Sequence, residues 1–349
     1  MIKVLVVEDS PVLREFLVHV LGADPVIHIV GTASDGEEAI KAVARLQPDV
    51  ITMDIHMPKM DGLEATRRIM ETHPVPIVIV SGSTDPHDMA VTFRATEAGA
   101  IAVLRRPAGI GHPEHEATAR ELVQTVKLMS EVKVVRRWPQ VRREAAPARP
   151  AEAVSGHAPM KVGVVAIGAS TGGPPVLQTI LAGLPKDFPA PLLIVQHMAS
   201  GFVHGFVEWL AQSSALPVHV AAHGETISPG HVYVAPDEFQ MKVERGGKIV
   251  LARDAPEDGL RPSVAYLFRS VAEAYGSDAV AGLLTGMGRD GAEELKQLLE
   301  KGAVTFAQDK DSSVVHGMPG EAIKLDAAML VLPPEKIAPM LVGLANNKK

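Results

Sequence analysis

The sequence predicts an α/β protein with two doubly wound parallel-sheet domains joined by a linker. Its 349 residues exceed one ordinary domain, since about 150 residues per domain is usual. Short apolar runs alternate with segments of helical period, which is typical of buried parallel strands and crossover helices. One stretch rich in proline, alanine and arginine, residues 136–159, interrupts the alternation. We therefore expect domains at 1–125 and 160–345.

The composition excludes several classes of protein. Hydrophobic residues make up 46% and charged residues 21%, as in globular proteins. The formal charge of −7, from 34 basic and 41 acidic residues, gives no overall attraction to nucleic acid or anionic lipid. Because cysteine is absent, disulfides, thiolate metal sites and cysteine nucleophiles are excluded. With no signal peptide and no apolar stretch of ~18 residues, we expect a cytoplasmic protein without membrane insertion.

Five apolar runs predict the strands of the first domain: residues 4–7, 27–30, 50–53, 77–80 and 101–104. The last helix of this domain is expected over residues 114–135, so residues 126–159 comprise a helical end and the linker. Prolines in the linker remove backbone donors, and no apolar period is present. A solvated tether is one interpretation of its arginines, and a partner-binding segment is the other.

Carboxylates follow two of these strands. Glu8 and Asp9 come after the first strand, and Asp54 comes after the third. Neighbouring strand ends in a doubly wound sheet share one edge, so these carboxylates would repel one another unless a cation such as Mg²⁺ neutralised them. Ser81 ends the fourth strand and brings a hydroxyl to the same edge. Taken singly, each acid is also a plausible helix N-cap.

Seven further apolar runs predict the sheet of the second domain: residues 162–167, 192–196, 218–221, 231–235, 279–284, 304–307 and 328–330. Helices are expected between them, for example over residues 175–184 and 292–300. The alternation again indicates an α/β sheet, larger than the first.

The first of these strands leads into GASTGG, which fits G-x-S-x-G between a strand and a helix. Small residues in this position permit a tight turn that presents the hydroxyl of Ser170 at the sheet edge. A helix N-terminus also supplies N–H groups for an oxyanion or a phosphate. A dinucleotide-binding loop is the alternative, but the glycine spacing does not match G-x-G-x-x-G.

A serine nucleophile needs a base and a group that orients the base. His197 directly follows the next strand and would share the edge with Ser170. Asp290 lies in the glycine-rich LTGMGRDG segment after a later strand. Alternatively, the histidine is an ordinary polar residue and the aspartate caps the helix that follows it.

The motifs VVEDSP, MDIHMPKMDG and VSGST resemble those of two-component receiver domains, and the resemblance covers residues 1 to about 125. It implies phosphorylation by a chemotaxis histidine kinase and a Mg²⁺ cofactor. Receivers usually have lysine before the proline after strand five, whereas this chain has arginine, which presents its charge as a planar fork. The implied residues are the phospho-acceptor Asp54, the Mg²⁺ ligands Glu8, Asp9, Asp54 and the backbone carbonyl of His56, and the switch residues Ser81 and Arg106.

The motifs GASTGG, VQHM, TGMGRDG and DSSVVHGMPGEAI resemble those of the chemotaxis protein-glutamate methylesterases, the CheB family, from about residue 161 to 344. The family hydrolyses glutamate γ-methyl esters on chemoreceptors, releases methanol, and deamidates receptor glutamines. The resemblance implies a monomer that needs no cofactor for the ester chemistry. The implied residues are the nucleophile Ser170, the general base and acid His197, the orienting Asp290, and the oxyanion-hole N–H groups of Thr171 and Met287.

Two positions depart from the pattern of the family. Gln240 stands where relatives commonly place a histidine, and Ala265 stands where they place an acid. The expected triad does not include either position, but receptor choice could change with them. Two other functions compete with the esterase: a catalytically silent docking module, and a transcriptional regulator, which would need a basic helix-turn-helix after the linker.

Overall fold

The computed structural model describes residues 1–82, 86–132, 134 and 162–346, with the backbone alone for residues 86–89. The chain divides into two compact units, Met1–Glu144 and Ala145–Lys349, and each is described by itself. The expected linker at residues 136–159 lies outside the described residues. Within the described ranges, no helix is long and apolar enough to cross a membrane.

The first unit is built on one sheet. Its strands are β1 (Ile2–Val7), β2 (Ile27–Ala33), β3 (Val50–Met53), β4 (Ile77–Ser81) and β5 (Ala102–Arg105). Its helices are α1 (Pro11–Gly22), α2 (Gly36–Leu46), α3 (Gly62–Thr72), α4 (Pro86–Ala98) and α5 (His115–Met129). The strand order is β2-β1-β3-β4-β5 and every pairing is parallel. The predicted five-stranded parallel sheet is confirmed.

Helix α5 ends earlier than predicted. We expected it to continue to about residue 135, but its last helical residue is Met129. The hydroxyl of Ser130 donates to the carbonyl of Lys127 at 2.6 Å. A serine side chain that bonds the backbone of the preceding turn competes with continuation of the helix.

The second unit is built on a larger parallel sheet. Its strands are β6 (Val164–Ala169), β7 (Leu192–Gln196), β8 (Val218–Val220), β9 (Val232–Val234), β12 (Ala279–Leu283), β13 (Val304–Gln308) and β14 (Leu330–Leu332), with β10 (Gln240–Val243) and β11 (Ile249–Ala252) lying outside that sheet. The seven strands are ordered β14-β13-β12-β6-β7-β9-β8. Its helices are α6 (Gly173–Ala182), α7 (Val203–Ala211), α8 (Val264–Ala274), α9 (Ala292–Glu300), α10 (Met318–Lys324) and α11 (Pro334–Asn346).

Two features of this unit differ from the prediction. Strands β10 and β11 form an antiparallel pair outside the main sheet, and no strand was expected there. The last strand begins at Leu330 rather than at residue 328. The reason is that residue 327 still belongs to the turn after α10, where Ala327 N–H donates to Ala322 O; the chain first bonds β13 at Met329, whose N–H donates to Thr305 O.

The central strands of the large sheet position the site. Strands β6, β7 and β12 are neighbours, and all of their residues are buried. Strands covered on both faces appear in sequence as continuous apolar runs, which is why they were predicted well. Because all three run parallel, their carboxyl ends meet at one edge, where ligands bind in open α/β sheets.

Candidate active site

Ser170 follows β6 in a tight turn that leads into α6. Its N–H donates to the carbonyl of Thr285 at 3.0 Å. Gly172 has φ +79°, and a Cβ there would lie 2.6 Å from the Cβ of Val314. A left-handed backbone in such close contact requires glycine. The structure therefore supports the tight turn that the G-x-S-x-G pattern predicted.

His197 occupies the matching position on the neighbouring strand. Ala169 and Gln196 are paired in the register of β6 and β7, and His197 N–H donates to Ala169 O at 2.9 Å. Ser170 and His197 are thus the next residues along two adjacent parallel strands. The prediction that both lie at one edge of the sheet agrees with this geometry.

Asp290 contacts the imidazole of His197. His197 Nε2 lies 2.9 Å from Asp290 Oδ2, although the two residues are far apart in sequence. The same carboxylate accepts hydrogen bonds from Ser263 Oγ at 2.9 Å, Val264 N at 2.7 Å and Ala265 N at 2.9 Å. It therefore sits at the N-terminus of α8, which favours negative charge.

These bonds control the ionisation of Asp290. Burial alone would raise its pKa, but hydrogen bonds from His197 and from the backbone of Ala265 and Val264 lower the pKa below its ordinary value. The N-cap of α9 is Gly291, with no side-chain cap. The alternative in which Asp290 caps the helix that follows it is therefore wrong.

The Ser170 hydroxyl is not hydrogen-bonded to His197, its expected base, in the described part of the chain. Among the described residues, no hydrogen bond links Ser170 Oγ to His197. The imidazole uses Nε2 toward Asp290, so Nδ1 is the nitrogen that remains for a proton transfer. Nucleophile and base often lie beyond hydrogen-bond distance until substrate binds.

The two predicted oxyanion donors lie near the nucleophile. Gly286 packs against Ser170 so closely that a Cβ on it would lie 2.6 Å from Ser170 Cβ, and Met287 is the next residue. In the part of the chain that the structure describes, the backbone N–H groups of Thr171 and Met287 have no hydrogen-bond partner. Both remain available to a ligand oxygen.

Three buried glutamines support the site, and sequence reasoning gave none of them a structural role in it, although it singled out Gln240 as a departure that could affect receptor choice. They lie beneath the nucleophile turn, beside the α8 N-terminus and beneath the Thr285 loop, and they are Gln196, Gln240 and Gln308. Gln240 Oε1 accepts from Ser263 N at 2.8 Å, and its Nε2 donates to Leu260 O at 3.1 Å. Gln240, which departs from the family pattern, thus positions Ser263, and the hydroxyl of Ser263 donates to Asp290.

Thr285 connects the loops around the nucleophile. Its N–H donates to Gln308 Oε1 at 2.8 Å. Its hydroxyl lies 2.9 Å from Thr171 O and accepts from Val315 N at 3.0 Å. An apolar strand followed by threonine carries no sequence signal for these contacts, because each partner is distant along the chain.

The first unit has its own cluster of acids. Ligand atoms of Glu8, Asp9 and Asp54 lie within 4.8 Å of one another. Burial, together with the charge of Asp54, raises the pKa of Glu8 to about 7, and burial raises the pKa of Asp54. Three carboxylate oxygens are a donor set that suits a hard divalent cation.

Arg106 and Ser81 lie at the same edge. Arg106 Nη2 is 3.3 Å from Glu8 Oε2 and 3.8 Å from Asp54 Oδ1. Ser81 is buried at the end of β4, and its carbonyl accepts from Arg106 N. Arg106 therefore supplies a positive charge between two carboxylates, and the metal-binding role of the His56 carbonyl stays a prediction.

The comparisons with known proteins match both units. A sequence model described as CheB methylesterase matches residues 165–341, and one described as response regulator receiver domain matches residues 4–112. The chain belongs to the CheB methylesterase family. Residues 165–341, where a transcriptional regulator would carry a helix-turn-helix after the linker, match the methylesterase model instead.

Relatives within the family match the whole chain. A protein-glutamate methylesterase/protein-glutamine glutaminase of Nitrosospira multiformis is 64% identical over 100% of this chain and 98% of its own length. One from Geobacter metallireducens is 61% identical over 100% of both. The crystal structure of the Thermotoga maritima CheB methylesterase catalytic domain is 39% identical, covers 53% of this chain and 100% of its own, and has a TM-score of 0.51.

Proposed function

We propose that this protein is a phosphorylation-regulated serine esterase that hydrolyses glutamate γ-methyl esters on chemoreceptors and releases methanol. The observation that carries the proposal is the 2.9 Å contact of His197 with Asp290 at the sheet edge that also bears Ser170. The full-length similarity to proteins named for this activity supports the same conclusion.

The reaction begins with attack of Ser170 Oγ on the ester carbonyl carbon. His197 takes the hydroxyl proton on Nδ1, because Nε2 is held by Asp290. The tetrahedral intermediate then collapses, and methanol leaves with the proton from His197. A water molecule, activated by the same imidazole, attacks the acyl-enzyme and frees the glutamate carboxylate and Ser170.

Two groups stabilise the charges that form during this reaction. Asp290 faces the imidazolium and stays ionised, because hydrogen bonds from His197 and from the amides of α8 outweigh its burial and lower its pKa. The N–H groups of Thr171 and Met287 donate to the carbonyl oxygen as it becomes an oxyanion. One such donor contributes about 3–4 kcal/mol to lowering the barrier.

The same steps deamidate a glutamine side chain. Ser170 attacks the amide carbon, and ammonia leaves with the proton from His197 in place of methanol. Since an amine is the poorer leaving group, proton donation by the imidazole matters more for this reaction. No residue beyond the ester machinery is required.

The receiver unit supplies the regulation. Asp54 is the proposed phospho-acceptor, a chemotaxis histidine kinase is the phosphodonor, and Glu8, Asp9, Asp54 and the His56 carbonyl would hold Mg²⁺. The cation, when bound, shields the carboxylates from the incoming phosphoryl group. Arg106 and Ser81 are the proposed switch residues, which respond to the new charge on Asp54.

The remaining parts of the proposal concern organisation. We propose a receiver over residues 1–125, a helical end and linker over 126–159 and a catalytic domain over 160–345. We also propose that the protein is a cytoplasmic monomer that binds no nucleic acid. The ester chemistry is proposed to need no cofactor, since nucleophile, base and oxyanion donors all come from the chain.

Release of methanol from methyl-labelled chemoreceptor membranes tests the activity. Wild-type full-length protein should release methanol, and the Ser170→Ala variant should lose at least about 10³-fold in rate. Equal release by both proteins would instead favour the silent docking module. A phosphodonor should stimulate the wild type but not the Asp54→Asn variant.

A further inference from the structure

The side chain of Gln196 lies directly beneath the nucleophile turn. It is 5% exposed, and its Nε2 donates to two carbonyls, Ser170 O at 2.9 Å and His197 O at 2.7 Å. One amide group therefore ties the backbone of the nucleophile to the backbone of the base. None of the proposed chemical steps uses this contact.

The carbonyl of Ser170 and the N–H of Thr171 belong to the same peptide group. Because a trans peptide is planar, its C=O and N–H point in opposite directions. The carbonyl oxygen of Ser170 accepts hydrogen bonds from Gln196 Nε2 at 2.9 Å and from Gly173 N at 2.8 Å. Fixing the carbonyl oxygen thus fixes the direction in which the Thr171 N–H points.

The orientation of the Gln196 amide is dictated by its surroundings. A Cβ on Gly173 would lie 2.3 Å from Gln196 Oε1, so glycine makes room for that oxygen. Oε1 has no hydrogen-bond partner in the described residues. Only the NH₂ group of the amide is hydrogen-bonded, and its two acceptors are the backbone carbonyls of Ser170 and His197.

We propose that Gln196 is a positioning residue that aims the Thr171 N–H at the oxyanion and holds the backbone of His197 beside the nucleophile turn. The proposal rests on the proposed esterase function. The amide of Gln196 contacts backbone carbonyls and not the reacting side chains of Ser170 and His197, so it acts through Thr171 and His197. Since an oxyanion bond strengthens only in the transition state, its effect should fall on kcat rather than on KM.

The first test replaces the amide by an apolar chain of similar length. Gln196→Met removes both hydrogen bonds, whereas Ser170 O keeps its bond from Gly173 N. Loss of an oxyanion donor lowers kcat by about 10²–10³-fold, so a misdirected donor should lower it by roughly 10–100-fold. KM should stay within about two-fold of wild type.

The second test makes the support depend on pH. In the Gln196→Glu variant, an ionised carboxylate faces two carbonyl oxygens and repels both, and only the protonated form donates a hydrogen bond. The rate of this variant relative to wild type should therefore recover as pH falls. Its optimum should lie below that of wild type, which a general loss of structure would not produce.

The assay is methanol release by full-length protein from methyl-labelled chemoreceptor membranes, with thermal unfolding measured in parallel. Gln212→Met, at an exposed position, is the control and should match wild type. Unchanged kcat in Gln196→Met, or a Gln196→Glu optimum equal to that of wild type, would overturn the inference. An inactive wild type would overturn the proposed function instead, so the two failures are distinguishable.

Discussion

Asp290 accepts a hydrogen bond from the imidazole of His197, with 2.9 Å between Nε2 of the histidine and Oδ2 of the aspartate. The opposite ring nitrogen, Nδ1, is then the one that can exchange a proton with the serine hydroxyl. The carboxylate is itself fixed by the first turn of α8. The histidine tautomer and the direction of proton transfer thus follow from where one helix begins.

Replacing Asp290 by asparagine should disrupt this relationship. An amide at position 290 offers an NH₂ group where the carboxylate accepts from His197 and Val264 N, so the imidazole loses its proper tautomer. We expect kcat for methanol release to fall by about 10³–10⁴-fold, with KM nearly unchanged. Asp187→Asn, an exposed position before β7, serves as the control, and a kcat near the wild-type value in Asp290→Asn would remove Asp290 from the mechanism.

A matched pair of threonines separates support of the site from general stability. The hydroxyls of Thr285 and Thr305 are both buried, and each is hydrogen-bonded to two backbone groups or more. Replacing either by valine should lower the free energy of unfolding by about 1–3 kcal/mol. Only Thr285→Val should also lower kcat, because its hydroxyl contacts Thr171 O. Urea unfolding and methanol release measure the two effects, and an equal loss of kcat in both variants would contradict this assignment.

Stability should depend on pH through Asp237. Burial raises the pKa of this carboxyl. The hydrogen bond from Gly201 N and the nearby His204 oppose that rise, and Glu238 adds to it. A raised folded-state pKa means that the stabilisation from Asp237 is complete below its ordinary pKa of 3.8 and is lost as pH rises through the folded value. Asp237→Asn stays neutral and can still accept from Gly201 N.

The Asp237→Asn variant should therefore unfold at a higher Tm than wild type at pH 7, by roughly 2 °C. The difference should disappear below pH 3.8, where the wild-type carboxyl is protonated as well. Differential scanning calorimetry at both pH values checks the expectation. A Tm difference that is independent of pH would point to packing rather than to ionisation.

Gly82 controls the position of the receiver guanidinium. A Cβ at this residue would lie 2.7 Å from Arg106 Nη1, so Gly82→Ala should push Arg106 away from Glu8 and Asp54. Methanol release without phosphodonor should be unchanged, whereas stimulation by phosphodonor should fall several-fold. Gly109→Ala, where a Cβ meets nothing within 4 Å, is the control. Full stimulation in Gly82→Ala would show that the guanidinium is not needed there.

The parts of the fold that could be predicted are those that depend on local pattern. Both parallel sheets appear in the sequence as apolar runs, because their strands are covered on two faces. The β10–β11 pair was missed, since Gln240–Val243 mixes polar and apolar residues within a four-residue strand. The end of α5 was missed because the switch to i→i−3 backbone bonds at Glu131 and Val132, beside the Ser130 hydroxyl bond to Lys127 O, has no periodic signal in the sequence.

The candidate site also contains some residues that could be predicted from the sequence and others that could not. Ser170, His197 and Asp290 could be named because each directly follows or closely follows a strand, at the edge where ligands bind. Gln196, Ser263 and Thr285 could not, because each makes a site contact with a partner 23 or more residues away. Contacts between side chains and distant backbone leave no periodic trace in a single sequence.

The amide hydrogens of Ser170 and His197 extend the ladder between the central strands, donating to Thr285 O and Ala169 O. These two half-buried residues are thus joined by backbone hydrogen bonds to the end of the buried strand β6 and to the buried Thr285 after β12, unlike the amides of an ordinary catalytic loop. Deuterium should replace the two amide hydrogens only when this unit opens as a whole. The enzyme would then lose its nucleophile and its base together with its native sheet, rather than by local fraying beforehand.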